Sequence, residues 1–152
     1  MPRRAWPCLL VLLAAGCMEQ SKPQPQTRQP SLYTRLGGEP FLERAVDTFV
    51  ARVANPRTGM HKATREYFQV GGDALKRELV EELGALLGGP QPPRRDKLLE
   101  MFRVAGGQDA QELQAVLRQA CKDAGAAARD LEEVEQRLTA LREEAVGKKE
   151  QR

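Results

Sequence analysis

The spacing of apolar residues constrains the fold of this 152-residue chain more than any other feature. A first stripe repeats at intervals of four and contains Phe41, Ala45, Phe49 and Val53, with Leu42, Val46 and Val50 beside them. A second stripe contains Leu75, Leu79, Leu83, Leu86 and Leu87. Both stripes have the period of an amphipathic α-helix. Since no stretch shows sustained alternation with β-branched residues, the sequence predicts an all-α fold.

Capping and helix-breaking residues limit the first two predicted helices. Ser31 is a suitable N-cap for a short helix that runs through Leu36. A glycine pair at residues 37–38 ends that helix, because glycine readily adopts a positive φ. Pro40 fits the first turn of a second helix, whose apolar face ends at Asn55. These signals predict two helices separated by a tight glycine turn.

A third helix is predicted to begin at Asp73, which would cap it, and to end at the Gly-Gly-Pro sequence of residues 88–90. Residues 57–67 are expected to form a polar loop before it. Glycine pairs at residues 71–72 and 106–107 are interpreted as helix ends. Neither pair follows a predicted strand, as a phosphate-binding loop would.

The N-terminal residues have the pattern of an export signal. Arg3 and Arg4 precede an almost wholly apolar run over residues 5–16, which is shorter than the roughly 20 residues of a membrane-spanning helix. We therefore expect residues 1–16 to be a signal peptide rather than an anchor helix. Removing its two arginines lowers the net charge from +3 to +1. A charge so close to zero does not indicate a nucleic-acid partner.

The sequence Leu-Ala-Ala-Gly-Cys at residues 13–17 resembles a bacterial lipobox. This resemblance implies cleavage before Cys17 and acylation of that residue, each buried CH₂ contributing about 0.8 kcal/mol to membrane binding. The alternative is an ordinary signal peptide with Cys17 as a free thiol. Met18 favours the outer over the inner membrane by the sorting rule of lipoproteins. The proline- and glutamine-rich residues 17–30 are predicted to tether a domain that faces the periplasm or the exterior.

Three segments resemble group I truncated haemoglobins, in the same order along the chain. Residues 31–39 are similar to the opening of the family, residues 45–57 to its second helix and the exit from it, and residues 74–90 to its long helix and the following glycine motif. The resemblance implies a two-over-two sandwich of helices over residues 31–125. It also implies haem binding and oxygen binding, since the family fold surrounds a haem.

Departures from the family pattern fall on the positions that contact haem. Val50 follows Phe49 where the family has a tyrosine that bonds to the bound gas. Glu78 and Glu82 match the positions at which the long helix brings a polar residue and a phenylalanine onto the porphyrin. A carboxylate at a porphyrin face is costly to desolvate without a partner. These residues therefore form a degenerate haem pocket.

The proximal iron ligand of the family has no counterpart in this sequence. The resemblance places Phe102 or Arg103 at the family's histidine, and neither side chain ligates iron. His61 is the only histidine, and it lies in a polar stretch well before that position. It is a weak metal candidate, because metal sites gather several ligands. The sequence therefore predicts no cofactor and no metal, with haem as the alternative.

Other residues with catalytic or ligand chemistry form no recognisable site. Met60 and Met101 are soft donors, but methionine at helical spacing usually fills a core. Cys121 falls on an apolar helix face and is predicted to be buried. The adjacent glutamates at residues 81–82 and 132–133 point to different sides of a helix and are interpreted as surface charge. Since the sequence also lacks a phosphate-binding loop and a nucleophile elbow, we predict that the chain is not an enzyme.

Residues 126–152 are predicted to form an added amphipathic helix and a frayed tail. The apolar residues of this helix lie three and four apart, at Leu131, Val134, Leu138, Leu141 and Ala145. Such a seam of about two heptads has two interpretations. It packs on the domain, or residues 131–145 bind a protein partner or a second copy of the chain.

These observations favour one function and leave two alternatives. The favoured function is an envelope lipoprotein whose degenerate truncated-haemoglobin-like domain is a non-enzymatic binding or interaction module. The first alternative keeps the family activity, with haem and O₂ bound through an unusual iron ligand. The second is a helical envelope scaffold that is similar to globins only by coincidence.

Overall fold

The computed structural model describes residues 29–147, and every regular element in that range is an α-helix. The six helices are α1 (Leu32–Leu36), α2 (Glu39–Val53), α3 (Lys62–Leu86), α4 (Asp96–Ala105), α5 (Gly107–Asp123) and α6 (Ala128–Gly147). The predicted all-α class is confirmed. Within residues 29–147, no helix has the length and apolar character needed to cross a membrane. The predicted signal peptide, Cys17 and the tether up to residue 28 lie outside the described residues, as do residues 148–152.

The first two helices begin and end where the sequence predicts. The Ser31 hydroxyl caps α1 by accepting a hydrogen bond from the backbone N–H of Thr34 at 3.2 Å. Gly37 ends α1 with a φ of 104°, in the left-handed region that glycine adopts without steric cost. Pro40 lies in the first turn of α2, which ends at Val53.

The third helix begins eleven residues before the predicted start, at Lys62 instead of Asp73. Gly72 interrupts it with non-helical torsions, φ 51° and ψ −143°, so Asp73 opens only its second half. The first half buries two side chains, Thr64 and Phe68. This sparse apolar pattern is too weak to indicate a helix by periodicity, which explains why the sequence predicted a loop.

The six helices surround one hydrophobic core. α2 packs against α3 and α5, and α6 packs against α4, α5 and the short α1. α4 lies among α3, α5 and α6. Each helix contributes at least one fully buried side chain, in chain order Leu32, Phe49, Leu79, Phe102, Leu113 and Leu138. The core therefore extends through the whole described chain.

The C-terminal helix belongs to this core. Its predicted seam residues are all buried, at Leu131, Val134, Leu138, Leu141 and Ala145. α4 and α5 pack against α6 within the same chain, as the first of the two interpretations of the seam predicts. Gly125, with a φ of 104°, forms the turn between α5 and α6, so the predicted boundary near residue 125 separates two helices that share one core.

Candidate functional site

The residues that the resemblance would place around a haem lie in different environments. Phe49, Val50 and Phe102 are buried, with exposed fractions of 1%, 5% and 0%. The Phe49 ring meets the edge of Phe68, with 5.3 Å between ring centroids. Arg103, the neighbour of Phe102, is exposed. These aromatic positions are therefore filled by tightly packed side chains of the chain itself.

Glu82 is not surface charge, which corrects the interpretation of the 81–82 pair. Its side chain is 6% exposed, and its two carboxylate oxygens accept hydrogen bonds from the backbone N–H groups of Lys97 at 3.1 Å and Leu98 at 2.9 Å. These N–H groups belong to the first turn of α4, whose own N-cap residue, Arg95, makes no side-chain capping bond. Glu82 of α3 thus caps α4 from across the interface, where a negative charge is favoured by the helix dipole.

Glu78, one turn before Glu82, does not share its environment. Its side chain is 50% exposed, and its carboxylate lies 3.8 Å from the ammonium group of Lys97. Lys97 also pairs with Glu100 at 2.9 Å. Exposed pairs of this kind contribute little to stability because water screens them. The structure thus separates the two predicted pocket glutamates into one buried cap and one solvated ion pair.

The residues at these positions do not fit a haem. Both carboxylate oxygens of Glu82 accept hydrogen bonds from the first turn of α4, so this carboxylate is already engaged within the chain. Phe102, which the resemblance would place at the proximal position, is fully buried, and its side chain has no atom that coordinates iron. Haem ligation needs a donor such as imidazole, thiolate or thioether at that place.

His61 lies instead at the N-terminus of α3, in a cluster with Asp109 of α5 and Thr64. The Asp109 side chain is 3% exposed. One of its carboxylate oxygens accepts hydrogen bonds from the His61 backbone N–H at 2.9 Å and from the Thr64 hydroxyl at 2.8 Å. The other lies 2.9 Å from Nδ1 of the His61 ring, which is itself largely solvent-exposed. Asp109 therefore caps α3, whose N-cap residue, His61, makes no side-chain capping bond of its own.

The pKa of the Asp109 carboxyl lies below its ordinary value. Burial opposes ionisation, but the hydrogen bonds donated by Thr64 and by the His61 backbone and ring favour the charged form more strongly. The sequence analysis missed this residue, because Asp109 is 48 residues from His61 along the chain. The one available signal was the absence of a good capping residue at position 61.

The remaining candidate ligands are core side chains. Met60, Met101 and Cys121 are nearly fully buried, with exposed fractions of 2%, 1% and 3%. Burial raises the pKa of the Cys121 thiol to about 12, so the thiolate that would bind a metal or attack a substrate is strongly disfavoured. Among residues 29–147, no three histidine, cysteine, aspartate or glutamate side chains are grouped so that they could hold a metal ion.

Two open clefts lie along α2 and α3. The acidic residues that line the first, of about 450 Å³, are Glu39, Glu78, Glu81, Glu82 and Asp96, and the basic ones are Arg94 and Lys97. The acidic residues that line the second, of about 520 Å³, are Glu39, Glu43, Asp47, Asp73 and Glu81, and the basic ones are Lys76 and Arg77. Because acidic side chains outnumber basic ones in both, these clefts disfavour an anionic ligand.

The polar face of α6 is joined to α1 and α3. The Arg35 guanidinium pairs with Asp130 at 2.9 Å and with Glu133, and Arg137 donates a hydrogen bond to the Leu86 carbonyl at 2.6 Å. The bonds from Arg137 and Arg35 hold the pKa of Glu133 below its ordinary range. Glu132 is exposed, as its interpretation as surface charge requires. These contacts connect helices and do not converge on a site.

Comparison with protein-family models, with curated proteins and with solved structures finds no match to this chain.

Proposed function

We propose that this protein is a cell-envelope lipoprotein, anchored through Cys17, whose degenerate truncated-haemoglobin-like domain acts as a non-enzymatic binding or interaction module. The observation that carries this proposal is the packing of α4 against α3. At the positions where the resemblance would place haem contacts, Glu82 caps α4 and Phe102 is fully buried.

Opening this interface for a porphyrin would be energetically costly. α4 buries Leu98, Leu99, Met101 and Phe102 within ten residues. Exposing one such side chain costs about 1.5–3 kcal/mol, and the loss of a hydrogen bond to a charged group such as Glu82 costs about as much again. A ligand would have to supply this energy without an imidazole to coordinate its iron.

In this proposal, two pairs of helices form the globin-like sandwich. A two-over-two sandwich needs two helix pairs, and α2 with α3 and α5 with α6 are both in close contact. In this assignment α6 completes the second pair. The globin-like domain then extends through residue 147, beyond the end at residue 125 that the resemblance implied.

A lipid anchor would place this module at a membrane surface. In the proposal, acyl chains on Cys17 enter the bilayer, and the proline-rich residues after it hold the domain away from the lipid. The partner is a protein or an apolar ligand in the periplasm or outside the cell. The chain's near-neutral charge after signal removal gives no reason to include nucleic acid among the partners.

The haem part of the proposal is tested by titrating hemin into the full chain in mild detergent and recording the visible spectrum. We expect a broad band equal to that of hemin in empty micelles, unchanged by His61→Ala. A sharp Soret band that saturates at one hemin per chain would contradict the proposal. Loss of that band in His61→Ala would identify His61 as the iron ligand. A band that persists in His61→Ala would mean that another side chain is the ligand.

The anchor is tested by labelling growing cells with radioactive palmitate. We expect label on the wild-type protein and on Cys121→Ser, the matched control, and none on Cys17→Ala. Label that survives Cys17→Ala would exclude this anchor, and the absence of label on the wild-type chain would leave the domain without the proposed attachment.

A further inference from the structure

The first half of α3, residues 62–71, is attached to the rest of the protein at few points, and we name it the flap. Of its ten residues, Thr64 and Phe68 are buried. The second half of the same helix buries Leu75, Leu79, Val80, Glu82, Leu83 and Gly84. Segments with few buried contacts open locally at a lower free energy than the core. The flap is therefore the weaker half of α3.

A glycine joint separates the flap from the second half of the helix. Gly72 is exposed and has a φ of 51° with a ψ of −143°, torsions that an L-residue adopts only with strain. A Cβ placed on the neighbouring Gly71 would lie 2.6 Å from the Cβ of Leu75. Both positions thus require glycine in this conformation, and the helix changes direction between them and Asp73.

Asp109 holds the other end of the flap. Its carboxylate contacts the His61 backbone N–H, the Thr64 hydroxyl and the His61 ring, all within one turn of the start of α3. Between Asp109 and the joint, the Tyr67 ring packs against the core and the Phe68 ring meets Phe49. The Gln69 amide also donates a hydrogen bond of 2.9 Å to the Ala54 carbonyl. More of the polar contacts therefore lie at the end farthest from Gly72, where Asp109 contacts His61 and Thr64.

We infer that the flap opens as a unit about Gly72, that Asp109 is the contact whose release permits this motion, and that the open state uncovers the apolar surface around Phe49 and Phe68. This inference does not depend on the proposed binding function. In this motion the second half of α3 stays in place. Glu82 of that half is hydrogen-bonded to α4, and its leucines are buried in the core.

The experiment is amide hydrogen exchange of the full chain in mild detergent, read by mass spectrometry at neutral pH. In Asp109→Asn we expect the amides of residues 62–71 to exchange at least about tenfold faster than in the wild type, with no change in α2 or in residues 75–86. Glu82→Gln is the matched control, because it removes the charge of the other remote cap. It should accelerate the amides of α4 and leave the flap unchanged.

Thr64→Val provides a second, milder variant that keeps the size and β-branching of the side chain. It removes one of the contacts to Asp109 and should accelerate exchange of the whole flap by a smaller factor. Acceleration confined to residues 62–66 would show fraying rather than opening as a unit. Equal acceleration throughout the core would show global destabilisation, and unchanged flap exchange in both variants would show that Asp109 does not hold it. Each of these three results would overturn the inference.

Discussion

The N-cap residues of α3 and α4 make no side-chain hydrogen bond to their own helices. In both cases a buried carboxylate from another helix accepts hydrogen bonds at the helix N-terminus instead. Asp109 caps α3 and Glu82 caps α4. The two helices differ in how well the residues after the cap are packed. α4 continues with four buried side chains in ten residues, whereas the flap of α3 has two in ten. The same kind of contact therefore stabilises a well-packed helix at α4 and a sparsely packed segment at the flap of α3.

The largest effect is expected where packing holds α4. Phe102→Ala removes a fully buried ring and should lower the free energy of unfolding by about 3–5 kcal/mol. Urea denaturation followed by circular dichroism measures this change. Arg103→Ala, at the exposed neighbour, is the control and should stay within about 0.5 kcal/mol of the wild type. A loss below about 1 kcal/mol for Phe102→Ala would mean that the Phe102 ring does not hold α4 in the core.

The next largest effect is expected at the cap of α4. Glu82→Ala leaves the N–H groups of Lys97 and Leu98 without an acceptor and should cost about 2–3 kcal/mol, measured in the same way. Glu82→Gln keeps one acceptor oxygen and should cost less. Glu81→Ala, at an exposed position on the same helix turn, is the matched control. An equal loss of unfolding free energy in both alanine variants would show that Glu82 has no special role.

Asp109 should make the free energy of unfolding depend on pH. Its folded pKa is depressed, so its contribution to stability is present above the ordinary value of 3.8 and is lost as pH falls through the lower folded value. The difference in unfolding free energy between the wild type and Asp109→Asn should therefore be greatest near neutral pH and shrink below about pH 4. Urea titrations at a series of pH values measure it. A difference independent of pH would show that the charge of Asp109 does not contribute.

The smallest effect is expected for His61→Ala. The ring is 82% exposed and supplies only one of the contacts to Asp109, since the backbone N–H of residue 61 and the Thr64 hydroxyl remain. The free energy of unfolding should change by no more than about 0.5 kcal/mol. A loss as large as that of Asp109→Asn would assign the cap of α3 to the imidazole instead.

Much of the helical frame could be predicted from the sequence, because its signals are local. Ser31, Gly37 and Pro40 act within a few residues of their own positions, and the leucine stripe of the second half of α3 marks its buried face. The flap could not be predicted in this way. Its buried residues are Thr64 and Phe68, so it has no regular apolar stripe from which a helix could be recognised.

The two remote caps could not be predicted for a related reason. Glu82 and Asp109 are acidic residues on helices, where charge is usually solvated, and their hydrogen-bond partners lie 15 to 48 residues away in the chain. Only the poor local caps at His61 and Arg95 point to a missing acceptor. The burial of Cys121 and of the α6 seam was predictable, since both depend on helical periodicity.

The most direct test of the packing between α3 and α4 is a crystal structure of the protein grown with an excess of hemin. We expect α4 to lie against α3, with the Glu82 carboxylate accepting hydrogen bonds from Lys97 and Leu98 and with Phe102 buried. A porphyrin between these two helices, with its iron coordinated by any side chain of the protein, would contradict the account.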